Sequence, residues 1–315
     1  HPIDFSALGR IQLRSMKKTF AVALLMAAAS LGATCGWSQQ RPAITGLAFV
    51  RVYASDAAAS AKFYGTTLGY SPRKEGDVTR YDVNGLQWIE VKPLPSPTPP
   101  TRLEAIGFTT RNAKQLEGYL KAHSVAIVDP LKNGKFSVRD PEGNLIFFVQ
   151  QTKPSSAKAP AGAVSRHMIH AGLVVKDRAK EDTFYRDILG FRPYWYGGPN
   201  DTTTNWVSQQ VPDGSDWLEY MLNIRPDAPL KQIGVMDHMS LGVVNMNDAF
   251  ATLKSNHCDG PECGPSSSKT GRDGKVQLNM YDPDLTRVEL MEFAPREKPC
   301  CSEFTAKHPT EQEVY

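Results

Sequence analysis

From residue 42 onward, the hydrophobic positions switch repeatedly between a period of two and a period near 3.6. FVRVYAS (49–55) reads as an apolar strand. DAAASAKFYGTTLGY (56–70) then reads as a short amphipathic helix ending at Leu68-Gly69, where glycine suits the residue after a helix. RYDVNG and LQWIEV follow, both alternating and strand-like. The same order returns later as HAGLVVK (170–176), DRAKEDTFYRDILGF (177–191), TTNWVSQQV and DWLEYML. Both helices carry a Phe-Tyr pair at the matching place, Phe63-Tyr64 and Phe184-Tyr185.

A second unit follows each of these. AIGFTTRNAKQLEGYLKAH and SLGVVNMNDAFATLKSNH are each a strand and then a helix, and FSVRDPEGNLIFFVQ and VQLNMYDPDLTRVELMEF close them as hairpins. Asp140-Pro141-Glu142 and Asp282-Pro283-Asp284 mark the turns into the two last strands. The chain therefore predicts four βαβββ modules, at 42–95, 101–152, 166–224 and 235–293. One such module leaves a sheet face open, so modules should pair to cover it. The expected fold is α+β: two domains, 42–153 and 165–295, each a mixed, cup-shaped sheet. A linker rich in Pro, Ser, Ala and Lys (154–164) joins them, and a cysteine-containing tail (296–315) follows.

Paired βαβββ modules carrying FYRDILGF, DHMSLGVV and DPDLTRVELMEF resemble the vicinal oxygen chelate superfamily, over nearly all of 42–293. That group includes glyoxalase I, methylmalonyl-CoA epimerase, fosfomycin-resistance proteins and extradiol dioxygenases. The resemblance implies two glyoxalase-like domains and a divalent metal that grips two neighbouring oxygens of a small substrate.

The residues themselves point the same way. His170 and His238 each head a module's first strand, and Glu219 and Glu289 each lie in a module's last strand, at nearly equal spacing. An imidazole or a carboxylate within an apolar strand costs free energy unless it is paired or metal-bound. If modules three and four are related by a pseudo-twofold axis, these four side chains converge on one Zn, Fe, Mn, Co or Ni ion. His167 competes with His170 for that role, whereas His123, His257 and His308 lack repeat support and read as surface residues. In the first domain Phe49 stands opposite His170 and Phe147 opposite Glu289. Leu103, or Glu104 with a one-residue slip, falls opposite His238, and only Glu90 matches Glu219. The first domain is therefore expected to be metal-free.

The order His-Glu-His-Glu is similar to glyoxalase I, where a metal-bound glutamate also moves a proton. Carried over, Glu289 is the first-choice base and Glu219 the second, and Asn223 matches a position contacting the thiol cofactor. Val174 stands where that family often has an arginine. The favoured function is proton-transfer chemistry of the isomerase, lyase or epimerase kind. An Fe(II) ring-cleaving dioxygenase using His170, His238 and Glu289 is the alternative, although Asn279 and GRDGKVQL lack the tyrosine and histidine that such enzymes carry. A non-catalytic binder is a third reading. Tyr194, Trp195, Tyr196, Trp206 and Tyr220 are candidate pocket residues, with Trp206 and Tyr220 favoured for substrate contact.

The first 38 residues change the setting. Met16-Lys17-Lys18 precedes the apolar run FAVALLMAAASLGAT, the pattern of an exported leader cleaved before Gln39. A retained anchor, or lipid attachment at Cys35, remains open, and residues 1–15 are set aside. The formal charge of +3 is carried by this leader, so the rest is near neutral and offers no basic patch for nucleic acid. A periplasmic or extracellular monomer or homodimer without an integral membrane span is expected. In an oxidising compartment Cys258, Cys263, Cys300 and Cys301 suggest two disulfides. A bond between adjacent cysteines should be strained, so Cys300 and Cys301 are each expected to reach back to the Cys258–Cys263 loop. A thiolate metal site is the alternative.

Overall fold

The structure is a computed structural model that describes residues 40–151, 159–260, 263 and 267–312. The leader, Cys35 and the first residues of the linker lie outside these. The chain forms two eight-stranded mixed sheets, one ordered β2 (Pro72–Glu75), β3 (Val78–Asp82), β4 (Trp88–Pro93), β1 (Ile44–Ala54), β5 (Leu103–Thr110), β8 (Leu145–Gln150), β7 (Lys135–Arg139), β6 (Ile127–Lys132), the other β10 (Arg192–Gly197), β11 (Trp206–Gln210), β12 (Trp217–Met221), β9 (His167–Val174), β13 (His238–Val243), β16 (Arg287–Glu292), β15 (Val276–Tyr281), β14 (Lys269–Thr270). In the first, β1 (Ile44–Ala54) pairs parallel with β4 (Trp88–Pro93) and antiparallel with β5 (Leu103–Thr110). In the second, β9 (His167–Val174) pairs parallel with β12 (Trp217–Met221) and antiparallel with β13 (His238–Val243). Modules thus join edge to edge through their first strands, and each sheet curls into one cup.

The helices obey their caps. Asp56 accepts from the Ala58 and Ala59 amides to start α1 (Ala57–Ala61). That helix widens into a π turn over Lys62–Thr67, whose last bond runs from Leu68 N to Phe63 O. Gly69 then takes φ +79°, and a Cβ there would stand 2.0 Å from the Gly162 carbonyl oxygen, so glycine is required. Asp177 and Gly190 (φ +78°) repeat this around α2 (Arg178–Asp182) in the second domain.

The repeated Phe-Tyr pairs and Asp-Pro turns prove to be one device. Tyr64 OH donates to Asp282 Oδ2 at 2.8 Å, and Tyr185 OH donates to Asp140 Oδ2 at 3.1 Å. Each domain's helix is thereby latched to the other domain's last turn. Backbone amides add a second symmetric pair: Ser55 N to Asp284 Oδ2 (2.8 Å) and Lys176 N to Glu142 Oε1 (2.7 Å). The apolar core is continuous across both domains, from Phe63, Tyr64 and Phe108 to Phe184, Tyr185 and Phe191. Burial raises the Asp282 carboxyl to about 6. Tyr64→Phe removes a donor from this buried carboxyl and is expected to cost about 1–3 kcal/mol, read as a lower urea midpoint. An unchanged midpoint would show that the latch contributes nothing.

The cysteine pairing differs from expectation. Cys258 bonds Cys263 and Cys300 bonds Cys301. The reason is location: Cys258 follows α3 (Met246–Ser255) and packs on the main core, whereas Cys300 lies at the second cup. There its N–H donates to Arg272 O (2.8 Å) and its carbonyl accepts from Trp195 Nε1 (3.2 Å). The tail beyond is more than an extension. It crosses the second cup, with Thr305 N donating to Tyr194 O (3.1 Å) and the Phe304 ring tilted against Tyr194 (centroids 4.9 Å apart). His308 belongs to this packing rather than to open surface: it is half-buried, 2.5 Å from Tyr194 OH, and burial lowers it to about 4. Among the described residues, no helix is long and apolar enough to cross a membrane.

Candidate metal centre

Strand alternation aims the side chains. In β12, Trp217, Glu219 and Met221 face the cup while Leu218 and Tyr220 enter the main core. In β16 (Arg287–Glu292), Arg287, Glu289 and Met291 face the cup while Val288 and Leu290 do not. On β9 the pairing with β13 slips, Ser240 opposing His170 and Leu241 opposing Met168, so Ile169 is an extra residue. This bulge turns both Ile169 and His170 away from the main core. The first sheet has the same bulge at Ala48, ahead of Phe49.

The four side chains meet. His170 Nε2 lies 3.0 Å from His238 Nε2, 3.4 Å from Glu289 Oε2 and 3.9 Å from Glu219 Oε2, and His238 Nε2 lies 3.5 Å from Glu219 Oε2. His170, Glu219 and His238 form the tightest set, with donor atoms all within 4.8 Å of one another. Both histidines are fully buried. His238 Nδ1 sits 2.7 Å from the Met236 carbonyl, which can only accept, so that nitrogen carries the proton and Nε2 presents its lone pair inward. His170 stacks on Trp217, with ring centroids 4.6 Å apart.

The donor set fits a divalent cation. Ligand atoms cis to one another on an ion bound at about 2.1 Å stand about 3.0 Å apart, the separation of the two imidazole nitrogens. Electrostatics agree. Burial, then the neighbouring imidazole, holds His170 neutral well below its ordinary range, and burial does the same to His238. Burial, then the Glu289 charge, raises Glu219 to about 8, and burial raises Glu289. Two desolvated carboxylates face two neutral imidazoles; the Arg287 guanidinium lies 3.6 Å from Glu289, and a bound ion would add the charge that holds both carboxylates ionised.

The first cup shows the opposite solution. Phe49, Trp88 and Phe147 fill it, and Arg51 bridges Glu90 (2.5 Å) and Glu104 (3.1 Å). Glu104, not Leu103, is therefore the inward residue, since Leu103 lies in the main core. A guanidinium neutralises these carboxylates.

Other candidates separate clearly. His167 is held by Asp216 (2.7 Å) and the Thr310 carbonyl (2.6 Å), in a structural bond network. Tyr194, Trp195 and Trp206 line the cavity of about 370 Å³ that opens onto Glu219 and Glu289. Tyr196 is 47% exposed, Tyr220 points to the other sheet face beside Tyr185, and the Asn223 amide donates to Thr204 O (3.1 Å). None of these three is a cavity wall. Sequence reading missed Trp217, Phe304 and Arg287, all of which line the cavity. For Trp217 and Arg287, two-residue spacing from Glu219 and Glu289 was the available signal; for Phe304 there was none.

Lys275 was missed as well. It is fully buried, its ammonium has no hydrogen-bond partner among the described residues, and it lies 4.4 Å from the Trp217 ring and 5.2 Å from Phe304.

The protein is similar to solved ring-cleaving enzymes. A room-temperature structure of an extradiol ring-cleaving dioxygenase from B. fuscum matches with TM-score 0.62 and 16% identity, covering 85% of this chain and 76% of that one. An anaerobic substrate complex of homoprotocatechuate 2,3-dioxygenase from Brevibacterium fuscum gives 0.60 and 17%, covering 83% and 86%. The native homoprotocatechuate 2,3-dioxygenase of Arthrobacter globiformis gives 0.60 and 16%, covering 82% and 84%. At such identity the likeness is one of fold. No curated protein gives a significant match by sequence. The family model for the Glyoxalase/Bleomycin resistance protein/Dioxygenase superfamily matches residues 46–148 and 167–290, once in each eight-stranded sheet, and the chain belongs to that superfamily.

Proposed function

We propose that the chain is a metal-dependent enzyme moving a proton on a small substrate that chelates through two adjacent oxygens, in the manner of an isomerase, lyase or epimerase. The observation that carries this is Glu219 within the tight set with His170 and His238. A divalent ion held by His170, Glu219, His238 and Glu289 would grip the two oxygens and stabilise the negative charge developing between them. Four protein donors leave two of six positions, enough for a chelating substrate. Glu289 stands beside the tight trio and opens onto the cavity, so it is placed to exchange between holding the ion and holding a proton. Burial favours its protonated form, as a proton carrier needs.

Ring cleavage is the second reading, favoured by the two-domain likeness to extradiol dioxygenases. It requires three open positions, and hence Glu219 outside the donor set. Glu219→Gln separates the two. Under proton transfer, metal affinity falls about tenfold. Metal retained in Glu219→Gln, together with oxygen-dependent cleavage of catechols by the wild type, would overturn the first reading. The matching positive assay is turnover of 2-oxoaldehyde–thiol adducts without oxygen. We also place the enzyme outside the cytoplasm, supported by the leader pattern and two disulfides. N-terminal sequencing of the protein from its native host should begin near Gln39.

A further inference from the structure

We infer that the cleft between the two domains, beside the Tyr64 latch, is a second ligand site that takes an amphiphilic anion of the fatty-acid class, an alkyl chain carrying one carboxylate. The site is separate from the second cup and does not depend on the reaction proposed there.

A cavity of about 740 Å³ opens at this cleft, within the range that encloses a small ligand. The first domain contributes Phe63 and Thr67, both buried, and the second contributes Pro283 and Leu285. Buried side chains in its lining make it a hollow rather than a flat patch. Leu285 holds φ +70°, in the left-handed region, where the matching turn of the other domain has Gly143 at φ +91°. Glycine adopts that conformation freely, whereas a branched side chain is disfavoured in it. Leu285 is nonetheless 39% exposed, so packing within the fold offsets little of the cost. An apolar side chain held in strained backbone at the edge of a cavity is placed for what fills that cavity. The short helix Leu230–Met236 rests against the same turn, where a Cβ on Gly234 would stand 2.2 Å from Leu285 O.

Charge selects the headgroup. Lys62 and Lys231 line the cavity and are exposed, which puts two ammonium groups at its rim. One carboxylate opposes them, Asp282, and its oxygens already accept from Tyr64 OH and from the Asp284 and Thr286 amides. The other latch lacks these cations: Thr183 stands in place of Lys62, and no helix intervenes between β4 and β5 to carry an equivalent of Lys231. An apolar hollow with a basic rim matches a chain that ends in an anion.

The test is calorimetric titration of the protein with dodecanoate below its micelle concentration, and with dodecyltrimethylammonium, which has the same chain and the opposite charge. The wild type should bind one dodecanoate per chain, about tenfold or more tightly than the cation. In Lys231→Glu that preference should fall about tenfold. Leu285→Gly should weaken dodecanoate about tenfold while its urea midpoint does not fall, because glycine suits the turn. Absence of saturable binding, equal affinity for the two charges, or dodecanoate binding that both substitutions leave unchanged would overturn the site. Sedimentation with phosphatidylglycerol vesicles, without binding of free dodecanoate, would make this face a membrane contact and overturn it as well.

Discussion

Gly172→Ala is expected to lose about a hundredfold in affinity for a divalent cation while remaining folded. Gly172 faces His238 across the β9–β13 pair. A Cβ at this position would stand 2.0 Å from His238 Cε1 and 2.3 Å from Nδ1, far inside any van der Waals contact. The imidazole cannot simply slide away, because it is fully buried and its Nδ1 is bonded to Met236 O. It must rotate, and rotation removes Nε2 from its place 3.0 Å from His170 Nε2. Competition with a chelating dye gives the affinity, and near-ultraviolet circular dichroism reports whether the aromatic core survives. Wild-type affinity in a folded Gly172→Ala protein would mean that His238 is not a ligand.

Replacing Lys275 by methionine should stabilise chelator-treated protein at pH 7 by roughly 3 kcal/mol. The figure follows from its ammonium, which burial lowers from 10.5 to about 8. Between those values the unfolded chain holds a proton that the folded chain has released, so wild-type stability rises with pH from about 8 to about 10.5. Below about 8 both states are protonated and the whole desolvation cost remains. Lys275→Met keeps the stem packed against Trp217 and Phe304 and removes the charge. Its advantage should therefore be largest near neutrality and fade through that window. Urea midpoints at pH 7 and pH 10 decide the matter. A variant less stable than wild type at pH 7 would show that Asp273, Glu289 and Glu219, the charges that oppose burial here, outweigh it.

Much of this was written in the chain. Period-two and period-3.6 runs, the glycines after each short helix and the fourfold recurrence of βαβββ fixed the elements, since these depend on local geometry and on which faces must be buried. Repetition also singled out the candidate site: a histidine heading a strand is ambiguous alone, whereas two matched by two glutamates, and replaced by Phe49 and Phe147 in the other half, mark four positions as one candidate set. What the sequence could not contain was distance. The bulges at Ala48 and Ile169, the union of the modules through β1–β5 and β9–β13, and the latches from Tyr64 and Tyr185 to the opposite domain's turn arise from register and docking. The same holds for Lys275, whose isolation exists only once Trp217, Tyr194 and Phe304 close around it. It holds equally for the cysteines, whose partners were decided by which side of the sheet each loop reached. Local propensity and pattern are properties of neighbouring residues, whereas a site built from β9, β12, β13 and β16 requires the tertiary fold to bring distant strands into register.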